Sequence, residues 1–193
     1  MSAPAPMRWP VPPPGGFTAE DLDRLPDLPA HTELIDGSLV FVSPQKAFHT
    51  LVLDLLVTAL RLSAPKNLRV RREMSVVLDR RQRPEPDVTV VRADAVTGGD
   101  QTAYPADAVV LAVEVVSPDS EVRDRERKPQ LYARAGIGHF WRVEDDGSGN
   151  AIVYIYELDP ASNAYALTGI FHDRVKVNVP FDINVDLTEI QHL

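Results

Sequence analysis

The stretch AVVLAVEVV (108–116) decides the architecture. Eight of its nine residues are apolar and five are valine, a composition that predicts a strand buried on both faces at the centre of an α/β sheet. The exception is Glu114. An ionised carboxylate in such a strand costs several kcal/mol unless a cation or a metal partners it. A structural ion pair, for example with Arg134, meets that demand as well as a metal does.

Working outward, Ser117-Pro118 stops the strand, and a charged run from Asp119 to Lys128 leads into a helix around Gln130 to Arg134 that Gly136 and Gly138 close. Upstream, the loop RRQRPEP delivers DVTVV (87–91), a short β-branched strand with Asp87 at its mouth behind Pro86. Pro-Asp is ordinary turn chemistry when it stands alone. Beside Glu114 it becomes the second acid of a hard-oxygen pair at the ends of neighbouring strands, suited to Mg²⁺ or Mn²⁺. Such an ion acidifies water and neutralises a transferring phosphoryl group. Lys128 begins the following helix; if that helix packs back on the sheet, its ammonium orients the attacking water or stabilises the pentavalent phosphate. A solvated face is the alternative for a lysine in so charged a run. Glu33 opens a hairpin strand and is either a third carboxylate or a surface residue.

The rest of the chain supplies the flanking elements. TELIDGSLVFV (32–42) reads as two strands with Asp36-Gly37 at the turn. From Phe48 to Leu62, Leu51, Val52, Leu55, Leu56, Ala59 and Leu60 recur at helical spacing, and Pro65 closes the helix. Residues 68–78 alternate as a strand with Val70, Met74 and Val76 among the candidates for its core face. HFWRV (139–143) and AIVYIYEL (151–158) are further strands, joined by the turn at Asp145-Asp146-Gly147, and shorter pieces follow near 165–171 and 175–179. Residues 1–16, rich in Pro, Ala and Gly, predict a loose arm. Thr18 caps a short helix toward Leu25. With no internal repeat and no dividing linker, residues 17–193 read as one domain.

Composition narrows the function classes. The 193 residues are 44% hydrophobic and 25% charged, as in an ordinary globular protein. Without cysteine there are no disulfides and no thiolate metal sites. No apolar run approaches the ~20 residues of a membrane span, and no signal pattern opens the chain, so the expectation is a soluble cytoplasmic protein without a membrane partner. A net charge of −8 argues against general coating of nucleic acid. The charge is polarised, however. Thr18 to Asp36 holds six acids against Arg24, whereas residues 66–83 hold seven basic side chains against Glu73 and Asp79. Arg69, Arg71, Arg72, Arg81 and Arg83 from the basic stretch are the candidate phosphate contacts. The absence of a G-x-S-x-G elbow disfavours a Ser–His–Asp hydrolase.

Four stretches then stand in order: ELIDGSLV (33–40), RPEPDVTVV (83–91), LAVEVVSPDS (111–120) and DRERKPQLYARAGIGHFWRV (124–143). Together they resemble the Uma-two family of endonucleases, within the restriction-endonuclease-like PD-(D/E)xK superfamily. The resemblance implies an α/β core, a central mixed sheet of about four strands flanked by helices, here with an added N-terminal hairpin. Asp87 matches the family's Pro-Asp acid, Glu114 its second metal-binding acid and Glu33 the acid of the first hairpin, often a further ligand. Two residues beyond Glu114, where the superfamily usually keeps its lysine, stands Val116. Lys128 sits where this family has moved that lysine, onto the next helix. Pro129 fits a first helical turn and biases Lys128 toward an extended backbone. His49 and Tyr132 match recurrent polar positions near the site. The implied activity is Mg²⁺- or Mn²⁺-dependent hydrolysis of DNA by a homodimer. Two alternatives stay open: a nuclease fold kept as a noncatalytic interaction module, and a metal-dependent hydrolase of another phosphoester such as a nucleotide.

Overall fold

The computed structural model describes residues 9–193; the first eight residues of the expected arm lie outside that range. Trp9 stacks against Phe41 with ring centroids 4.7 Å apart. The hairpin forms as expected, with β1 (Glu33–Ile35) paired to β2 (Ser38–Val40) in the register Leu34 to Leu39. Asp36 and Gly37 both take positive φ, 55° and 77°, the backbone whose twist suits a two-residue hairpin turn. The helix α1 (Ala47–Ser63) buries Val52, Leu53, Leu56, Val57 and Leu60. It stops where Pro65 forces Ala64 into an extended conformation.

The next stretch departs from the expected single strand. β3 (Leu68–Arg72) ends at Glu73, whose φ is +50°, and β4 (Ser75–Val77) leaves in a new direction. A continuous strand would put Val70 and Val76 on one face. The break sends Val70 to the core beneath α1 and Val76 to the core on the other side. β5 (Val88–Arg92) returns antiparallel to β3, β6 (Ala103–Pro105) pairs parallel with β4, and β7 (Val109–Val115) is the apolar strand of the opening stretch.

After β7 the chain turns into a continuous helix that begins at Glu121, winds as a wider π-type turn through Arg123–Arg127, and becomes α2 (Lys128–Arg134). Lys128 is therefore helical, with φ −61° and ψ −44°, and not extended as Pro129 suggested. Its N–H bonds to Arg123 O, five residues back. Proline in a regular helix clashes with the carbonyl four residues earlier, and the wider turn relieves that crowding at Pro129. β8 (His139–Asp145), β9 (Ala151–Asp159), β10 (Ala164–Phe171), β11 (Arg174–Val177) and β12 (Ile183–Asp186) complete the chain.

The central sheet has the order β10-β9-β8-β7-β5-β3. Only β7 and β8 run parallel, joined across α2; the remaining pairs are antiparallel. It is a mixed α/β sheet of six strands, wider than the four that the resemblance implied. α1 and the β11–β12 hairpin cover one face, meeting Leu111, Val113 and Val115. α2 covers the other, where Tyr132, Ile137 and Phe140 pack with Ala112. β12 has no counterpart among the expected strands: at four residues it is too short to show a pattern of its own. Among the described residues no helix is long and apolar enough to cross a membrane.

Candidate metal centre

Two sheet strands bring the acids together. In the antiparallel pairing of β5 with β7, Val88 stands opposite Val113. Extending that register by one residue sets Asp87 opposite Glu114, and cross-strand neighbours have Cβ atoms ~5 Å apart. Side chains alternate along β7, so Leu111, Val113 and Val115 face α1 while Ala112 and Glu114 face α2. There Glu114 meets two groups from the helix. Its Oε2 accepts from Lys128 Nζ at 2.9 Å, and its Oε1 accepts from the Tyr132 hydroxyl. Asp87 is held on both oxygens, Oδ1 beside His49 Nε2 at 2.9 Å and Oδ2 accepting from the Val115 N–H at 2.6 Å.

The hairpin contributes Glu33. Leu34 and Arg83 exchange backbone hydrogen bonds of 3.0 and 2.8 Å, which dock β1 against the segment leading to Asp87. Glu33 Oε1 then accepts from the Glu85 N–H at 2.8 Å and lies 2.9 Å from Lys128 Nζ. A further carboxylate, Asp124, sits one helical turn before Lys128, its Oδ1 3.4 Å from Nζ. That oxygen is buried and has no hydrogen-bond partner. Glu33, Glu114, Asp124 and Lys128 are each at most 4% exposed. Among the described residues Lys128 is the only cation within ion-pair distance of these three acids.

One ammonium among so many carboxylates sets the electrostatics. Burial pushes the Glu114 carboxyl well above the ordinary range; Lys128 opposes this, while Asp124, Asp87 and Glu33 reinforce it. Burial raises Asp124 as well, again against the pull of Lys128. For Lys128, burial favours the neutral amine, but Glu114, Glu33 and Asp124 outweigh it and hold the ammonium well above its usual range. Burial and the Glu114 charge push the Tyr132 phenol up, which keeps it a donor. A cavity of about 40 Å³ lies among Glu33, Asp87, Glu114, Asp124 and Lys128, with His49 at its edge. His49 also lines a cavity of about 310 Å³ beside His31 and Glu73, and one of about 210 Å³ beside Lys46 and Arg125.

The family model described as Uma2, putative restriction endonuclease, matches residues 19–188. The chain belongs to the Uma2 family. Among solved structures, a putative nuclease belonging to DUF820 from Anabaena variabilis ATCC 29413 matches with 16% identity and a TM-score of 0.69, covering 90% of this chain and 97% of that one. At that identity the likeness speaks to the fold. The cAAA-bound form of NucC from P. aeruginosa ATCC27853 matches with 14% identity and a TM-score of 0.36, over 60% of this chain and 69% of that one. A search of curated proteins returns no match.

For this Uma2 chain the residues singled out from sequence divide into two groups. Glu33, Asp87, Glu114, Lys128 and His49 meet around one small cavity, and Tyr132 reaches it only through its bond to Glu114. Asp124 joins them and was missed, since it hides in a run of charges; its spacing of four residues from Lys128 is the signal that finds it. Glu85 was also missed. Its carboxylate pairs with His31 Nδ1 at 2.5 Å beside Asp87, and burial raises it.

The candidate arginines differ in how far their guanidiniums are already engaged. Arg83 is 4% exposed and donates to Ala19 O at 2.8 Å and to both oxygens of Asp23, so its guanidinium is spent inside the protein and no phosphate can reach it. Arg72 is tied to Asp54 and Glu73, and Arg71 donates to the Tyr104 hydroxyl. Arg69 and Arg81 are exposed and donate to main-chain carbonyls. Sequence shows that a residue is charged but not whether its head is already used. Arg83→Met should lower unfolding stability by about 2 kcal/mol, mainly by leaving the Ala19 carbonyl without its buried donor. Asp23 is half exposed and rehydrates, which moderates the loss. Urea denaturation measures it, and an unchanged midpoint would show the contacts to be incidental.

Proposed function

We propose that this Uma2 protein is a divalent-metal-dependent endonuclease hydrolysing phosphodiester bonds of DNA. The observation that carries the reading is the imbalance of charge at the strand ends: Glu33, Glu114 and Asp124 are buried around one ammonium, and Asp87 stands opposite Glu114. Buried carboxylates in such excess call for protons or for a further cation, and a divalent ion supplies the latter. The donor set fits Mg²⁺, which prefers hard oxygens. Among the described residues no three acids or imidazoles form a ready-made cage. That agrees with an ion which takes one or two carboxylates and keeps several waters.

Asp87 and Glu114 would hold the ion, with Glu33 the carboxylate available as a further ligand. When bound, a divalent ion supplies charge neutralisation at phosphorus and an acidified water. The protein's own groups do the positioning. His49 and the Val115 N–H fix the Asp87 carboxylate, while Tyr132 fixes Glu114 from the side opposite Lys128. Lys128, held charged by its neighbours, presents a cation where negative charge grows during attack on phosphorus. Its guiding contacts come from a helix packed on the sheet, which compensates for the flexibility of a lysine stem.

The test is cleavage of supercoiled plasmid by the purified chain with Mg²⁺, with Mn²⁺ and after treatment with EDTA. Nicking that needs the ion and disappears with EDTA supports the proposal. Calorimetric ion binding without any cleavage would favour the noncatalytic module, and turnover of nucleotides but not plasmid would favour a phosphoesterase of smaller substrates. Cutting both strands at one locus calls for two copies of the chain, which sedimentation in the presence of DNA would reveal.

A further inference from the structure

The helix that carries Lys128 has a second face. Inward, Asp124, Lys128, Leu131 and Tyr132 are buried. Outward, Arg125, Pro129, Gln130 and Arg134 form one wall of a groove of about 700 Å³, and the facing wall comes from the sheet, with Arg142 on β8, Tyr156 on β9 and Tyr165 on β10. The chemistry proposed above uses none of these outward side chains.

Three features give the groove a ligand class. First, its lining is rich in cations: in a chain of net charge −8, three guanidiniums line it beside the carboxylate of Glu126. Glu144 pairs with both Arg125 and Arg142, and Glu121 pairs with Arg125, so the guanidinium left over is that of Arg134. Second, the arginines are presented differently. Arg134 is exposed and has no ion-pair partner among the described residues. Arg142 lies with its guanidinium carbon 4.5 Å from the Tyr154 ring centroid and 5.6 Å from that of Tyr156. The ring faces favour the guanidinium, and with Nε paired to Glu144 its terminal nitrogens are the donors for phosphate. Third, the groove neighbours the approach to the site. Arg125 lines it and also lines the cavity that reaches His49. From Arg125 to Arg134 the helix rises ~13 Å, roughly four steps of a duplex strand at ~3.4 Å each.

We propose that this groove carries the nucleic-acid phosphate backbone flanking the scissile bond, with Arg125, Arg134 and Arg142 making the contacts. The proposal rests on the nuclease reading of the neighbouring site and adds where the substrate lies. It also relocates the phosphate track: Arg71, Arg72 and Arg83 are held by internal partners, whereas in this groove Arg134 is exposed without an ion-pair partner among the described residues, beside Arg125 and Arg142.

The experiment is fluorescence anisotropy of a labelled 30-base-pair duplex with the full chain, in EDTA so that no cleavage occurs, across a series of KCl concentrations. Each lost phosphate contact lowers the slope of log K against log salt by ~0.9. Arg134→Ala should therefore reduce the slope by about 0.9 and the double variant Arg125→Ala/Arg134→Ala by about 1.8. Arg134 is exposed and unpaired, so its removal leaves folding undisturbed and the single variant stays informative if the double variant misfolds. Arg69→Ala/Arg81→Ala serves as the comparison and should leave the slope where it is. An unchanged slope in both groove variants overturns the proposal while leaving plasmid cleavage as a separate result. A slope lost only in the Arg69/Arg81 variant overturns it in favour of the β3 side, and failure of the parent chain to bind duplex overturns it outright. Binding that depends on the groove without any metal-dependent cleavage upholds the groove and removes the nuclease reading.

Discussion

Glu114→Gln should reduce metal-dependent cleavage by a factor of about 10³ or more, equivalent to about 4 kcal/mol of transition-state stabilisation. The substitution keeps the side chain's shape and removes the charge that the proposed ion needs. Its effect on folding should be far smaller. Glu114 bonds Lys128 through one oxygen and Tyr132 through the other, and both partners donate. Glutamine can accept from only one of them, so one donor loses its partner. Against that loss, burial already disfavours the ionised carboxyl, and a neutral amide escapes that penalty. The pairing of outcomes is the test: cleavage on plasmid DNA should fall by orders of magnitude while the melting temperature moves by a few degrees. Asp87→Asn should behave alike in cleavage, since the amide keeps the shape but weakens the proposed ligand. Undiminished cleavage in either variant would remove the assigned site, and parallel collapse of fold and activity would make Glu114 structural.

How much of the fold and the site was legible in the sequence follows from what each residue reveals about itself. Glu114 was plain because its neighbours are apolar, and a carboxylate in such a strand demands a partner on composition alone. Asp87 became readable through its place beside a second acid, and the register of β5 against β7 sets the two opposite each other. The hairpin and α1 were legible because Asp36-Gly37 and Pro65 act on the backbone locally, whatever the tertiary surroundings. Asp124 and Arg83 were not, for one reason. In a charged stretch every side chain looks alike, and only packing decides which turn inward: Asp124 and Lys128 do, while Arg125 and Glu126 face solvent. The split between β3 and β4 was likewise hidden, because alternation continues through Glu73 although the chain changes sheets there.

Lys128→Met should be strongly destabilising, and a divalent ion should repair part of the damage. Methionine fills much of the lysine stem's volume, so what is lost is the ammonium. Glu33 and Glu114 lie 2.9 Å from it and Asp124 lies 3.4 Å away, and all three are buried. Removing one partner of a buried ion pair costs about 3–5 kcal/mol, because the remaining charge is left without compensation. In a chain of this size that corresponds to a fall in melting temperature of roughly 6–20 °C. The variant should also lose cleavage, by about 10²-fold or more, if the ammonium stabilises charge growing at phosphorus. A ligand that binds only the folded state at 100 times its dissociation constant returns ~2.7 kcal/mol. Mg²⁺ or Mn²⁺ should accordingly raise the melting temperature of Lys128→Met more than that of the parent chain, since in the variant no other cation competes for the acids. The decisive comparison is the gain per ion in calorimetric scans of the two proteins. A variant that melts like its parent would mean the three acids are not coupled through Lys128. One that melts low and ignores the ion would leave Lys128 a structural counterion and remove the divalent metal from the centre.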